Sequence, residues 1–257
     1  MRVQSSRLSS DEVSKSAFYD TISKYQSDRY RTPGKTWRRM VVQYTPLQLR
    51  HPTDKLPALS GLADEMRRNK GQKYLAGLWN DTLVPDMCWY LHEWNKKSSS
   101  QTPWRAPTWS WASVDGPVEY SQALYSARKP DTASKEYAEV VNAECSLAGP
   151  SPTGQVNGGF VELYGSLIPA YVKAEQEQVH ADSLKLWWHS DNRCAIDEHV
   201  EYYLIPMVIV DSTFHGLVVK RTNSQEMIRI GLAISYHPPH LGTLEIPSFK
   251  KQKVRIV

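Results

Sequence analysis

The chain has 257 residues, of which 40% are hydrophobic and 23% charged, so it can bury a core and lacks the composition of a disordered protein. Its formal net charge of +4 is too small to indicate a nucleic-acid partner by itself. The three cysteines are odd in number and widely spaced, which favours a reducing compartment over a disulfide framework. The first 16 residues are polar, and no apolar run approaches the roughly 20 residues that cross a bilayer. We therefore expect a cytoplasmic protein without a membrane partner.

The first 95 residues show helical periodicity. Ser9 and Glu12 have the spacing of a capping box and predict a first helix, which should end before Pro33. A second helix is predicted over Thr36–Tyr44, because Trp37 and later apolar residues recur at one-turn spacing. The sequence thus predicts a helical region over residues 1–95.

Two further helices are predicted in the same region. Asp54 is expected to cap a third helix, which should end at 69–71. A fourth is expected to begin at Asp81. The predicted buried positions are Leu56, Leu59, Leu62, Ala63 and Met66 in the third helix, and Leu83, Met87, Leu91 and Trp94 in the fourth.

After residue 95 the hydrophobic period changes from helical to two. Residues 96–104 contain lysines and serines but few apolar anchors, and we interpret them as a linker. Tyr202–Val210 is almost continuously apolar, which predicts a central strand covered on both faces. Short breaks on either side of the following apolar runs indicate an antiparallel meander. The predicted fold is therefore α+β, with the helical region packed on an antiparallel β domain (105–257), either a sandwich or a partly open barrel.

The segment Arg105–Val118 is rich in tryptophan. Trp109 and Trp111 are separated by one serine and followed by Ala112 and Val114, and we interpret this arrangement of large and small residues as a half-buried strand, closed by a turn at Asp115. A second interpretation treats Asp115 as a carboxylate beside a tryptophan platform that stacks on sugars, as in a carbohydrate-binding module or a glycosidase remnant. A glycosidase needs a second carboxylate, for which the candidates are Glu162 and Asp197.

The motifs of common catalytic and cofactor sites are missing from the sequence. It contains no G-x-S-x-G elbow, P-loop, dinucleotide-binding glycine motif, H-E-x-x-H or C-x-x-C. His237 and His240 lack a nearby third ligand and are interpreted as part of a surface loop rather than a zinc site. Arg29–Arg39 is basic and aromatic, yet a solvated helix end or a domain contact is favoured over nucleic acid. No catalytic residue, cofactor or metal is predicted, and the chain is expected not to be an enzyme.

Four blocks of the sequence resemble fungal heterokaryon-incompatibility (HET) proteins in the region downstream of their HET domain. The blocks keep the family's order and span most of residues 37–231. They are Trp37–Tyr44 with Asp54–Ala63, then Tyr74–Trp79 with Trp89, then Arg105–Gly116, then Cys145–Ala170. In this family the HET domain, thought to resemble Toll/interleukin-1 receptor domains, precedes the first block, where this chain has only a few dozen residues. The death-inducing activity therefore cannot be assigned to residues of this chain.

The resemblance implies a non-enzymatic accessory or regulatory region of a HET-type protein, acting in non-self recognition and cell-death signalling. Its partner would be another protein or an upstream effector domain. Exposure of Trp109, Trp111, Trp187 and Trp188 would distinguish this hypothesis from sugar binding, since a platform requires exposed rings. We call the expected contact between the helical region and the β domain the structural seam. The residues expected to form this seam or an interface are Trp37, Asp54, Trp79, Trp89, Trp109, Trp111 and Asp115.

Overall fold

The computed structural model describes residues 33–47, 49–91, 103–125, 134–191, 196–197, 199–236, 244–247 and 249–257. The first helix expected after Ser9, the His237 and His240 pair and most of the expected linker lie outside these ranges. The division at 96–104 therefore stays a prediction.

The described chain is mostly β, with 44% of residues in strands and few helices, so the α+β expectation holds only in part. The helices are α1 (Pro33–Tyr44), α2 (Ser60–Lys70), α3 (Leu83–Asp86) and α4 (Gln122–Tyr125). Short 3-10 turns occupy Pro52–Lys55, Pro57–Leu59, Asn80–Thr82, Trp111–Ser113 and Ala174–Gln176.

The strands are β1 (Tyr74–Leu75), β2 (Leu78–Trp79), β3 (Trp89–Leu91), β4 (Val118–Tyr120), β5 (Ser134–Glu136), β6 (Glu139–Leu147) and β7 (Val156–Ser166). They continue with β8 (Ile168–Lys173), β9 (Gln178–Ala181), β10 (Leu184–Ser190), β11 (Tyr202–Val210), β12 (Thr213–Arg221), β13 (Met227–Tyr236) and β14 (Lys251–Ile256).

Strands β8 to β13 form a closed six-stranded barrel. Their order is β10-β9-β8-β11-β12-β13, and pairing of β10 with β13 closes the cylinder. Strands β14, β7 and β6 extend the sheet from β13, and β5 pairs with β11. Among the described strands, the pairs are antiparallel except for a single parallel contact between β13 and β14. The expected sandwich or partly open barrel is thus replaced by a closed one, because no sequence pattern marks the β10–β13 pairing.

Two hydrophobic clusters fill the fold. The first lies inside the barrel and includes Leu186, Trp188, Leu204 and Phe214. The second lies between the outer wall of the barrel and the part of the fold that contains α1 to α4, which we call the helical layer. The second cluster joins Trp37 and Leu59 from before residue 95 to barrel residues such as Ile205 and Leu232. The helical part and the barrel therefore share one continuous core.

The second and third predicted helices form, with different beginnings. The second begins at Pro33, three residues earlier than expected. In the third, Asp54 is exposed and caps nothing, since two proline-initiated 3-10 turns precede α2 at Ser60. The predicted end is confirmed at Gly71, which has a φ of 65° and donates its N–H to the carbonyl of Arg67. The predicted apolar stripe is buried except for Leu62, which is half-buried.

The fourth predicted helix is wrong beyond its first turn. Only Leu83–Asp86 is α-helical, and Trp89–Leu91 is a strand paired with β4. The carboxylate of Asp86 turns back and accepts hydrogen bonds from the Trp79 amide (3.3 Å) and the Thr82 hydroxyl (2.8 Å). The pairing of Trp89–Leu91 with β4, a distant segment of the chain, thus overrides the helical spacing of the apolar residues.

The predicted tryptophan strand is also wrong. Trp111–Ser113 is a 3-10 turn, in which the Ser110 hydroxyl accepts from the amide of Ala112 at 3.0 Å. The four consecutive residues Trp109 to Ala112 are all buried, whereas a half-buried strand would bury alternate positions. The loop lies between the barrel and the helical layer, so both sides of it are covered.

Candidate functional site

Five tryptophans, called the tryptophan cluster below, form the joint between the helical layer and the barrel. All five have no exposed surface. They come from α1, from β2, from β3 and from the loop between β3 and β4: Trp37, Trp79, Trp89, Trp109 and Trp111. Trp37 packs edge-to-face on Trp79, with ring centroids 5.5 Å apart. The structure thus brings together five of the seven residues that the sequence singled out.

The carbonyl of Gly77 lies at the centre of the cluster. It accepts hydrogen bonds from the indole N–H of Trp37 at 2.7 Å and from that of Trp111 at 2.8 Å. Gly77 occupies the tight turn between β1 and β2 with a φ of 97°. A Cβ there would lie 2.7 Å from Trp111 Nε1, so only glycine fits against the ring. One carbonyl therefore fixes rings that come from two distant parts of the chain.

A buried arginine joins this layer to the barrel wall. Arg229 of β13 stacks on the ring of Trp89, with its guanidinium carbon 3.4 Å from the centroid. Its Nη1 donates to the carbonyl of Met87 at 2.6 Å, and its Nη2 donates to that of Trp89. Its Nε donates to Asp191 Oδ2 at 2.9 Å. Burial raises the pKa of Asp191 to about 6, although the Arg229 charge opposes that rise.

The position of Arg229 follows from a bulge in the barrel. Strict alternation from Ile228 to Ile234 would place Arg229 on the face opposite the isoleucines and Leu232. The register between β12 and β13 shifts so that Val218 faces Gly231 and Val219 faces Arg229. The extra residue moves Arg229 onto the same outer face as Leu232, where both are buried.

A second buried ion pair links α1 to α3. Arg38 Nη1 contacts Asp86 Oδ1, and Arg38 Nε donates to the carbonyl of Leu124 at 2.9 Å. Burial raises the pKa of Asp86, and the positive charge of Arg38 opposes the rise. Lys35 and Trp37 are buried as well. The described residues of the basic segment Arg29–Arg39 therefore serve mainly as contacts within the helical layer, and a contact to another domain stays a prediction.

Asp115 and Asp54 lie at the edge of the cluster. Asp115 Oδ1 accepts from Arg105 Nη1 at 2.6 Å, so its carboxylate is held in an ion pair. The ammonium of Lys55 donates to the carbonyl of Val114. Burial and the Arg105 charge lower the pKa of Lys55 to about 7, which Asp115 partly offsets. Asp54 is exposed. Burial of the Tyr44 hydroxyl, and to a smaller extent the negative charge of Asp54, raise the pKa of Tyr44 to about 12.

The sugar-platform interpretation of Trp109 and Trp111 is contradicted by their burial. Trp188 also faces the barrel interior and is nearly covered, whereas Trp187 is 61% exposed. Glu162, one candidate for a second carboxylate, is paired with Arg255 at 3.2 Å. Of the four tryptophans whose exposure distinguishes sugar binding from a structural seam, three are therefore buried, which favours the seam.

The structure also brings together Ser121 and His215, which sequence reasoning missed because 94 residues separate them. Ser121 Oγ lies 2.6 Å from His215 Nε2, and His215 Nδ1 lies 3.4 Å from the carbonyl of Val208. A serine protease stabilises the imidazolium with a carboxylate on the second nitrogen. Here the second nitrogen faces the main chain, and burial, with a smaller effect of Arg38, lowers the pKa of His215 to about 4. The pair satisfies a buried histidine and is a poor general base.

Among the described residues, no group of three or more His, Cys, Asp or Glu side chains is placed to hold a metal ion. None of the helices in the described ranges is long and apolar enough to cross a membrane. Comparison with protein-family models, with curated proteins and with solved structures found no significant match.

Proposed function

We propose that this chain is a non-enzymatic accessory region of a HET-type protein in fungal non-self recognition and cell-death signalling. In this role it packs on or regulates an effector domain, and its partner is therefore a protein. The observation that carries the proposal is the convergence of three resemblance blocks on one carbonyl. Trp37 comes from the first block, Gly77 from the second and Trp111 from the third, and they meet in two hydrogen bonds.

The residues of the resemblance blocks that meet at the Gly77 carbonyl therefore have a structural role. Fully buried indoles cannot contact a substrate, and truncating a buried tryptophan removes about 3–5 kcal/mol of stability. The two buried arginine–aspartate pairs, Arg229 with Asp191 and Arg38 with Asp86, lie in the same joint. Residues that hold two layers together support a scaffold that presents a surface to another domain.

The weakness of the Ser121–His215 pair supports the non-enzymatic part of the proposal. Acyl transfer would move the serine proton to His215 and create a second positive charge in a buried site influenced by Arg38. No carboxylate hydrogen-bonds to His215 among the contacts of the described residues. We therefore assign this pair to packing.

The proposal is tested by co-expressing the chain with a HET-type effector domain in a filamentous fungus and measuring cell death with a vital dye. The chain should co-purify with the effector and change the death response. Trp111→Ala, which removes a ring of the cluster, should abolish both effects. Tyr164→Ala, at a partly exposed position on β7, is the matched control and should leave both unchanged.

Two results would count against the proposal. One is a death response that is the same with and without the chain while no complex forms. The other is turnover of a substrate, such as cleavage of NAD, by the purified chain alone.

A further inference from the structure

One outer face of the barrel exposes aromatic rings and lysines together. Tyr171 pairs with His180, and His180 pairs with Lys185, so these three side chains form one row across β8, β9 and β10. In the next row Lys173 pairs with Gln178, which pairs with Trp187. Directly opposite residues of antiparallel strands point to the same side of a sheet. We call these six residues and Tyr236 of β13 the aromatic–lysine face.

The face points to solvent. Tyr171, Trp187 and Tyr236 are 58%, 61% and 64% exposed, the highest values of all large apolar side chains in the described ranges. The alternate residues of the same strands point inward; for example, Val179 and Leu186 are buried in the barrel interior. Trp187 pairs with Ile234, two residues before Tyr236, which places Tyr236 on this side of β13. Large exposed rings on one face are typical of a binding surface.

The charge of the face is positive. Lys173 lies two residues from Tyr171, and Lys185 lies two residues from Trp187, so the Cα atoms of each aromatic residue and its lysine are about 7 Å apart along the strand. None of the seven residues of the face is acidic. Desolvation and the charges of the two lysines lower the pKa of His180.

Two polar atoms between the rings are enclosed without a hydrogen bond. They are Gln178 Oε1 and His180 Nε2, for which the described part of the chain supplies no partner. Enclosed polar atoms are normally paired, by protein or by water. A ligand that enters between the rings could supply the missing partners.

We propose that the aromatic–lysine face binds single-stranded nucleic acid, with bases stacked on Trp187 and Tyr171 and phosphates beside Lys185 and Lys173. The combination of exposed rings with cationic side chains is the pattern that such ligands require. A neutral sugar would use the rings and leave both ammonium groups without a counter-charge. This activity goes beyond the scaffold role, and it uses a face distant in sequence from the Arg29–Arg39 segment.

The test is fluorescence anisotropy of a labelled oligothymidine of about 12 nucleotides, within the range of site sizes of single-strand-binding modules. Trp187→Ala and Tyr171→Ala should each weaken binding by about 5- to 150-fold, the effect of losing one stacked base. Tyr164→Ala and Lys253→Gln are matched controls, because Tyr164 and Lys253 form an aromatic–lysine pair on β7 and β14. Both controls should bind like the unchanged chain.

The salt dependence tests the charged part of the face. Two neutralised phosphates predict a slope of about −1.4 for log affinity against log salt concentration, and about −0.7 after Lys185→Gln. Melting curves of each variant check that it is folded.

The proposal is overturned by the absence of binding at low salt, by a salt-independent affinity, or by equal losses in the control variants. Tighter binding of a polyglutamate peptide or a neutral oligosaccharide than of oligothymidine would also overturn it. Because this binding is measured on the isolated chain, its failure leaves the co-expression experiment unaffected. Conversely, a missing effector complex does not change the anisotropy result.

Discussion

Replacing Gly77 with alanine tests whether the tryptophan cluster depends on one carbonyl. The φ of 97° is unfavourable for a residue with a Cβ and costs about 1–2 kcal/mol. The new methyl group would also lie 2.7 Å from Trp111 Nε1 and 2.8 Å from its Cε2, an overlap that costs about 1–3 kcal/mol. We expect Gly77→Ala to lower the free energy of unfolding by about 3 kcal/mol in total.

Gly71→Ala is the matched control. Gly71 also has a positive φ, of 65°, but a Cβ there would meet no atom within 4 Å. Its substitution should therefore cost only the backbone term of about 1 kcal/mol.

Urea unfolding followed by far-ultraviolet circular dichroism measures both variants, and the melting temperature of Gly77→Ala should fall by roughly 6–12 °C. Equal losses in the two variants would refute the reasoning, because the contact with the Trp111 ring would then contribute nothing.

Three further outcomes are expected. The free energy of unfolding should rise with pH between about 7 and 8, by up to about 1.4 kcal/mol per unit, because a lowered pKa of Lys55 leaves its proton bound only in the unfolded chain over this range. Above this range the thiols of Cys88 and Cys145, whose pKa values burial raises to about 12, lose their protons first in the unfolded chain and oppose the rise. Lys55→Met should remove the slope between about pH 7 and 8 in a urea titration, and parallel curves would contradict the assignment. Trp111→Ala should cost about 3–5 kcal/mol, whereas Trp187→Ala should stay within about 0.5 kcal/mol, which thermal melts can separate. Ser121→Ala should cost about 1–3 kcal/mol by leaving His215 Nε2 without its hydrogen-bond partner. Labelling of Ser121 in the unchanged chain by a fluorophosphonate would instead show that the pair is catalytic.

Local patterns in the amino-acid sequence identify several of the buried segments. The spacing of apolar residues located α1 and α2, and Gly71 marked the end of α2. The continuous apolar run Tyr202–Val210 identified a central strand, which β12 pairs on one side and β5 and β8 share on the other. Such patterns are local, since they record how side chains alternate between core and solvent within one element.

How the buried segments meet depends on contacts between distant parts of the chain. The β10–β13 pairing closed the barrel, and one bulge moved Arg229 into the joint beside Asp191. The loop that carries Trp109 and Trp111 contains a 3-10 turn and is covered on both sides. An alternating sequence pattern predicts burial on one side only, so it does not predict this loop. Contacts between residues far apart in the chain depend on strand register and on which layer covers them. The spacing of apolar residues within one helix or strand determines neither of these.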